Sequence, residues 1–216
     1  VDPASIISLI SSKTKAIVVV HYAGMAVDMD SLLVICREKN IFLIEDAAQG
    51  MHSHYKNKPV GTIGDFATFS FHETKPISCG EGGMLIINRP EYIPLAEKIL
   101  EKGTNKIEFK RGGVQSYEWN CLGSSFAASQ LQAAVLLAQL EEVDMIFEIR
   151  KSKWQIYDRE LKIENFSFRL PQSFDFSSYN TSVFYLEILK PSLRNILIRK
   201  FNEKGIQASF HYKCLH

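Results

Sequence analysis

The run Ala16-Ile17-Val18-Val19-Val20 has no polar member, so it reads as a buried strand of the parallel type. A helical stretch follows, with Leu32, Leu33, Ile35 and Cys36 on one face, Asp28 or Asp30 placed to cap it, and Lys39-Asn40 ending it. Ile41-Phe42-Leu43-Ile44 is the next buried strand and runs into Glu45-Asp46. Strand, helix, strand in that space is a βαβ unit, which requires parallel pairing and a right-handed crossover. Ligands of such open α/β sheets lie outside the carboxyl ends of the strands. Chemistry is therefore to be sought just after Val20 and Ile44, and at the end of any strand beside them.

Two further apolar strands are predicted, Phe66 to Phe71 and Met84 to Ile87, separated by a turn that ends in Gly80-Glu81-Gly82-Gly83. Pro90 opens a helix to about Lys102, and the polar, glycine-bearing stretch from Gly103 to Trp119 reads as a long loop. One long helix, bent or straight, is expected from Ser129 to about Leu161. Beyond it, Phe166 to Leu170, Val183 to Leu189, a helix over Ser192 to Lys204, and Gln207 to His211 read as the start of a second, α+β domain. The expected division is 1–150 for the α/β domain and 151–216 for a linking helix and the partial second domain.

A formal net charge of +1 leaves no electrostatic footprint for nucleic acid or an anionic membrane. No apolar run approaches the roughly 20 residues of a membrane span, and no signal peptide is visible. Cys36, Cys79, Cys121 and Cys214 are widely spaced, which predicts free thiols in a reducing, cytoplasmic setting. His52 and His54 lie two apart, but no acid or cysteine completes a metal set, so no metal is expected. Gly80-Glu81-Gly82-Gly83 precedes a strand rather than a helix, against the dinucleotide-loop pattern.

Two strand ends carry suitable groups. Asp46 is an acid at the end of a buried strand, and Ser70-Phe71-His72-Glu73-Thr74-Lys75 offers a hydroxyl, an imidazole and an amine at the end of another. Taken singly, Asp46 could cap a turn and Lys75 could be a solvated charge. Taken together they are the residue types that pyridoxal phosphate requires: a lysine for covalent attachment, a carboxylate for the ring nitrogen, and hydroxyls for the phosphate.

The order and spacing of Val20-His21-Tyr22-Ala23-Gly24, Glu45-Asp46-Ala47-Ala48-Gln49, Ser70 to Lys75 and Gly80 to Gly83 resemble the DegT family of sugar aminotransferases over nearly the whole chain. Glu101-Lys102-Gly103-Thr104-Asn105 and Gly123-Ser124-Ser125-Phe126 are most similar to its branch making dTDP-4-amino-4,6-dideoxygalactose from a 4-keto-6-deoxy sugar nucleotide. The resemblance implies a partial three-layer large domain of fold-type I pyridoxal-phosphate transferases, followed by the start of a small α+β domain. It implies transamination of a nucleotide-linked keto sugar, with glutamate as amino donor, in a homodimer. Residue by residue, Lys75 carries the cofactor and shuttles a proton, Asp46 pairs with the ring nitrogen, Gln49 lies against the ring and Ser70 donates to the phosphate. His72 is an active-site imidazole, His21 and Tyr22 line the substrate pocket, and His211-Tyr212 matches the late His-Tyr motif of the smaller domain.

Departures are informative. Ser125 stands where many relatives have an asparagine that reaches the neighbouring subunit's phosphate, Cys214 replaces a proline, and Pro76 restricts Lys75 to extended backbone. Related dehydratases carry a histidine in place of the lysine, so Lys75 disfavours that alternative. Val1 and His216 both read as cut ends, and no glycine-serine phosphate loop lies ahead of Ala16. A chain so bounded is expected to hold the cofactor weakly, which keeps a non-catalytic remnant as the other alternative.

Overall fold

The structure, a computed structural model, describes residues 2–162, 168–178 and 180–212. A leading helix, α1 (Pro3–Leu9), is capped by the Asp2 carboxylate, which takes the N–H groups of Ala4 and Ser5. The βαβ unit follows as β1 (Ala16–Val20), α2 (Met29–Lys39) and β2 (Phe42–Asp46). Then come the short β3 (His54–Tyr55) and β4 (Lys58–Pro59), and the longer β5 (Phe66–Ser70) and β6 (Gly83–Ile87). The helices α3 (Ile93–Leu100), α4 (Lys106–Lys110), α5 (Gln130–Glu141) and α6 (Val143–Glu160) occupy the middle of the chain. The elements β7 (Phe168–Arg169), β8 (Ser177–Ser178), β9 (Glu187–Ile188) and α7 (Pro191–Glu203) complete it.

The main sheet has the order β1-β2-β5-β6, with the first three strands parallel and β6 antiparallel. Register places Val20 beside Asp46 and Asp46 beside Thr68, so β1 and β2 end level and β5 runs on past them to Ser70. Helix α2 lays Met29, Leu32, Ile35 and Cys36 against Val19, Leu43 and Ala47, with Tyr55 and Val60 closing the cluster. It stops at Asn40, which takes the left-handed conformation (φ 52°) that asparagine tolerates better than most residues. Asp28 stands at its start, but its carboxylate accepts from the hydroxyls of Ser31 (2.6 Å) and Tyr55 (2.9 Å), not from a helix N–H.

A carboxylate sits inside this core. Glu45, fully buried in the middle of β2, accepts four hydrogen bonds. They come from His21 Nε2 (2.9 Å), Gly61 N (2.7 Å), Ile63 N (2.8 Å) and Gly64 N (2.6 Å). Val27 N donates to His21 Nδ1 (3.2 Å), so the ring proton is on Nε2, facing the carboxylate. Burial alone would push the Glu45 carboxyl up. The His21 and backbone N–H bonds outweigh it and hold the group below its ordinary value of 4.5. Gly64 is packed so tightly that an added Cβ would stand 2.7 Å from the Leu43 carbonyl oxygen, which explains the glycine.

Several sequence expectations change. Val18 and Val20 are 62% and 42% exposed, because β1 is an edge strand with only one face packed against α2. The expected single helix from Ser129 to Leu161 is two: α5 ends at Glu141, Glu142 caps it, and α6 begins at Val143. A capping box of Ser129 and Gln132 fixes the start of α5. The stretch from Gly103 to Trp119 is not an open loop. It contains α4 and is tied back through buried Thr104 and Asn105, with Glu118 N donating to Asn105 Oδ1 (2.8 Å). Gln207 to His211 forms no strand, and residues 163–167, part of another expected strand, lie outside the described residues.

By its contacts the chain divides into two units. One runs to Ser152 and takes in Ser173–Val183; the other comprises Lys153–Gln172 and the chain from Phe184 onward. In the second, Phe184 packs on Trp154 and Tyr157, and β7 pairs with β9. No helix among the described residues is long and apolar enough to cross a membrane.

The Glu45 site yields a stability prediction. Glu45→Gln sets an amide N–H against donors and should cost about 2–3 kcal/mol at neutral pH. Because the folded carboxyl titrates below 4.5, the carboxylate's contribution is complete above that value and disappears as pH falls through the lower, folded one. Urea unfolding of parent and variant from pH 7 down to pH 3 should show the gap between them closing only in acid. A gap independent of pH would contradict the assignment.

Candidate active site

The carboxyl ends of β1, β2 and β5 bring the sequence-predicted residues to one place. Asp46 ends β2 and is half-buried, and its Oδ1 accepts from Ala48 N (3.0 Å). Its Oδ2 has no partner among the described residues. Ser70 ends β5, and its hydroxyl accepts from His72 N (3.3 Å). Its donor proton has no acceptor among the described residues.

Lys75 lies on the turn between β5 and β6. Phe71 N donates to Gly82 O (2.8 Å) and Cys79 N to Phe71 O (3.0 Å), closing the neck of that turn. Phe71 and Ile77 are buried against Phe147 of α6, with Leu136 and Leu140 of α5 alongside. Ser78 N also donates to Gln139 of α5 (2.9 Å). Lys75 N donates to His72 O (2.9 Å), while its half-buried amine has neither a carboxylate nor a hydrogen-bond partner among the described residues.

His72 accepts from Thr74 N at Nδ1 (3.2 Å), so its Nε2 carries the proton and points to Glu81 Oε1 at 3.7 Å. Sequence reasoning missed Glu81 as a partner, although its place in the glycine turn could have suggested one. Gln49 is held by its own side chain: Oε1 accepts from Ala23 N (2.8 Å), which leaves the amide nitrogen for another group. Ala23 is in the left-handed region (φ 56°), a cost that this bond offsets.

Other expected residues fall elsewhere. His21 does not line a pocket: it has no exposed surface and both ring nitrogens are used, by Glu45 and Val27. Its neighbour Tyr22 is 42% exposed at the strand end. Ser125 is exposed in a bridge with Glu101 and makes no hydrogen bond with Asp46, Ser70 or Lys75. His211 and Tyr212 belong to the second unit, where their rings stack at 4.2 Å. Cys36, Cys79 and Cys121 are free thiols, and Cys214 lies outside the described residues.

An open sheet with a carboxylate, a hydroxyl and an unpaired lysine at its carboxyl edge belongs to the α/β ligand-binding class. Comparison with known proteins is more specific. Residues 1–216 match the DegT/DnrJ/EryC1/StrS aminotransferase family, and the chain belongs to it. Among relatives, the UDP-4-amino-4,6-dideoxy-N-acetyl-beta-L-altrosamine transaminase of Helicobacter pylori is 29% identical, covering 100% of this chain and 56% of its own. The GDP-perosamine synthase of Caulobacter vibrioides is 38% identical over 74% of this chain and 41% of its own. The aminotransferase TlmJ from Streptoalloteichus hindustanus superimposes with a TM-score of 0.89 at 25% identity, over 99% of this chain and 56% of its own. The chain spans about half the length of the curated relatives it matches.

The role of Gln49 in shaping the site can be measured. Gln49→Ala removes the acceptor for Ala23 N and should speed exchange of that amide about tenfold, equivalent to ~1.4 kcal/mol. Gln49→Glu retains an oxygen acceptor and should keep the protection. Equal exchange in parent and Gln49→Ala would show that the bond holds nothing in place.

Proposed function

We propose that this protein takes part in the pyridoxal-phosphate-dependent transamination of a nucleotide-linked 4-keto-6-deoxy sugar, with glutamate as the amino donor. The observation that carries this reading is that Asp46 and Ser70 stand at the ends of neighbouring strands with Lys75 on the turn that follows, and that Asp46 Oδ2, the Ser70 proton and the Lys75 amine have no hydrogen-bond partner among the described residues. These groups fit the cofactor: an amine for its carbonyl carbon, a carboxylate for its ring nitrogen, a hydroxyl for its phosphate. When bound, pyridoxal phosphate supplies an electron sink for the pair released as a substrate Cα–H bond breaks.

The chain's own residues do the rest. Lys75 holds the cofactor and then, freed, moves a proton at its Nζ. Asp46 keeps a proton on the ring nitrogen by pairing its charge with it. Ser70 donates to the phosphate, and the Gln49 amide nitrogen approaches the ring edge. His72, held by Thr74 with its Nε2 toward Glu81, stands on the same turn as Lys75 as an active-site imidazole of this reading. Tyr22, at the end of β1, is exposed on the substrate side.

The sugar class is supported by the names of two relatives, a UDP-4-amino-4,6-dideoxy sugar transaminase and a GDP-perosamine synthase. The dTDP-linked sugar rests on the motifs at Glu101 to Asn105 and Gly123 to Phe126. We further propose that two copies assemble, with Ser125 reaching the partner's phosphate site. In this reading the first unit, Ser173–Val183 included, serves the cofactor, and His211 and Tyr212 serve the substrate. Nucleotide-sugar chemistry and the free thiols fit a cytoplasmic site.

Borohydride reduction tests the lysine. With pyridoxal phosphate added, the parent should give a stable adduct on Lys75 by peptide mass, and Lys75→Ala should give none. An adduct that persists in the variant would remove Lys75 from the reading. Asp46→Asn keeps the shape but not the charge, and should slow the half-reaction with glutamate at least ~100-fold, with the melting temperature little changed. A rate within a few-fold of the parent would make Asp46 a structural acid.

A further inference from the structure

One buried side chain outside the strand ends makes more hydrogen bonds than any packing role needs. Asn180 is 4% exposed. Its Nδ2 donates to Gln49 O (2.7 Å) and Met51 O (2.7 Å), and its Oδ1 accepts from Ser182 N (3.1 Å) and Ser182 Oγ (2.7 Å). Its backbone N–H donates to Ser53 Oγ (3.0 Å). The carboxamide lies directly over Gly24, where φ is +82° and an added Cβ would collide with Asn180 Oδ1. One carboxamide thus grips two carbonyls of the loop after β2 and covers the turn after β1.

The segment carrying Asn180 is fastened along its length. Residues Ser177 and Ser178 pair with Tyr55 and His54, Lys56 N donates to Phe176 O (2.8 Å), and Ala26 N donates to Ser177 Oγ (2.9 Å). Most of these bonds hold the hairpin and α2. The Asn180 bonds differ in that they reach Gln49 and Met51, just after Asp46-Ala47-Ala48. Gln49 then reaches on to Ala23, and Asp46 Oδ1 holds Ala48 N in the same short stretch.

We propose that Asn180 is a positioning residue: it sets the backbone of the 46–51 loop, and through it the aim of the Asp46 carboxylate and the Gln49 amide at the cofactor ring. The inference rests on the reading of Asp46 and Gln49 given above. It demands an amide in particular. Aspartate has the same shape but no N–H, so it would set a carboxylate against two carbonyl oxygens. Alanine would leave both carbonyls without donors.

Two readouts test it, one without cofactor. In the cofactor-free protein, Asn180→Asp should raise hydrogen exchange at the Ala23 and Ala48 amides about tenfold, while Ile44 in the sheet keeps its protection. With pyridoxal phosphate titrated in, its Kd should rise about tenfold and the visible absorption maximum of the bound form should shift. Ser182→Ala, which removes only one bond to Oδ1, should move all three in the same direction by a smaller factor, and serves if Asn180→Asp does not fold. Lower melting temperature with unchanged exchange, Kd and spectrum would reduce Asn180 to a structural residue. Faster exchange with an unchanged Kd and spectrum would also overturn the proposal, because the loop would move without consequence for the ring. Should the parent itself give no lysine-dependent reducible adduct, the cofactor reading falls and this proposal with it, whereas failure in the variants alone leaves that reading standing.

Discussion

Everything at the carboxyl edge of the sheet depends on a negative charge placed beneath it. Among the described residues Glu45 is the only acid in the set of fully buried large side chains, and its two oxygens gather an imidazole and three backbone N–H groups. A buried carboxylate with fewer donors would protonate or unfold its surroundings. With four, it fixes three separate parts of the chain: the end of β1 through His21, the turn at 61–64, and β2 itself. The helix α2 packs on the face that this arrangement keeps flat. Had the turn at 61–64 been free to move, β5 would not enter the sheet at a fixed height, and Thr68 would not lie level with Asp46.

The same strand shows how neighbouring acids can divide their work. Side chains alternate across a strand, so Glu45 and Asp46 face opposite sides. One is sealed from water and saturated with donors; the other is half-exposed with an oxygen to spare. Composition cannot separate them. Register can, because the residue that faces inward at Leu43 is in phase with Glu45.

Much of the fold was legible because it rests on local pattern. The apolar runs of β1, β2, β5 and β6 and the faces of α2 and α7 lie within about two residues of where periodicity puts them. What pattern could not supply came from long-range pairing. The strands β3, β4 and β8 are two residues each: β4 pairs with β3, and Ser177 and Ser178 of β8 return from far along the chain to pair with the other edge of β3. The break between α5 and α6 at Glu142 has no glycine or proline to announce it. At the site, Lys75, Asp46 and Ser70 could be singled out because strand ends are where ligands bind. The function of His21 was misread because a histidine beside a tyrosine looks like a pocket wall, and only its burial against Glu45 shows that it is a strut. Asn180 carried no local signal for this role; the two carbonyls it grips are more than a hundred residues away in sequence.

The turn that bears Lys75 leaves the sheet and re-enters it at the same end, since β6 runs antiparallel to β5. Its neck is closed by backbone bonds and its far side is pinned by Ile77. In the proposed reading, an amine held this way would have surrendered its translational freedom already, so toward a carbonyl compound resting at Asp46 and Ser70 it would act as an intramolecular reactant with a high effective concentration. That property would work in both directions. A free amine displacing the lysine would not send it into solution, and the lysine would stay close by as a resident competitor for the position it had lost.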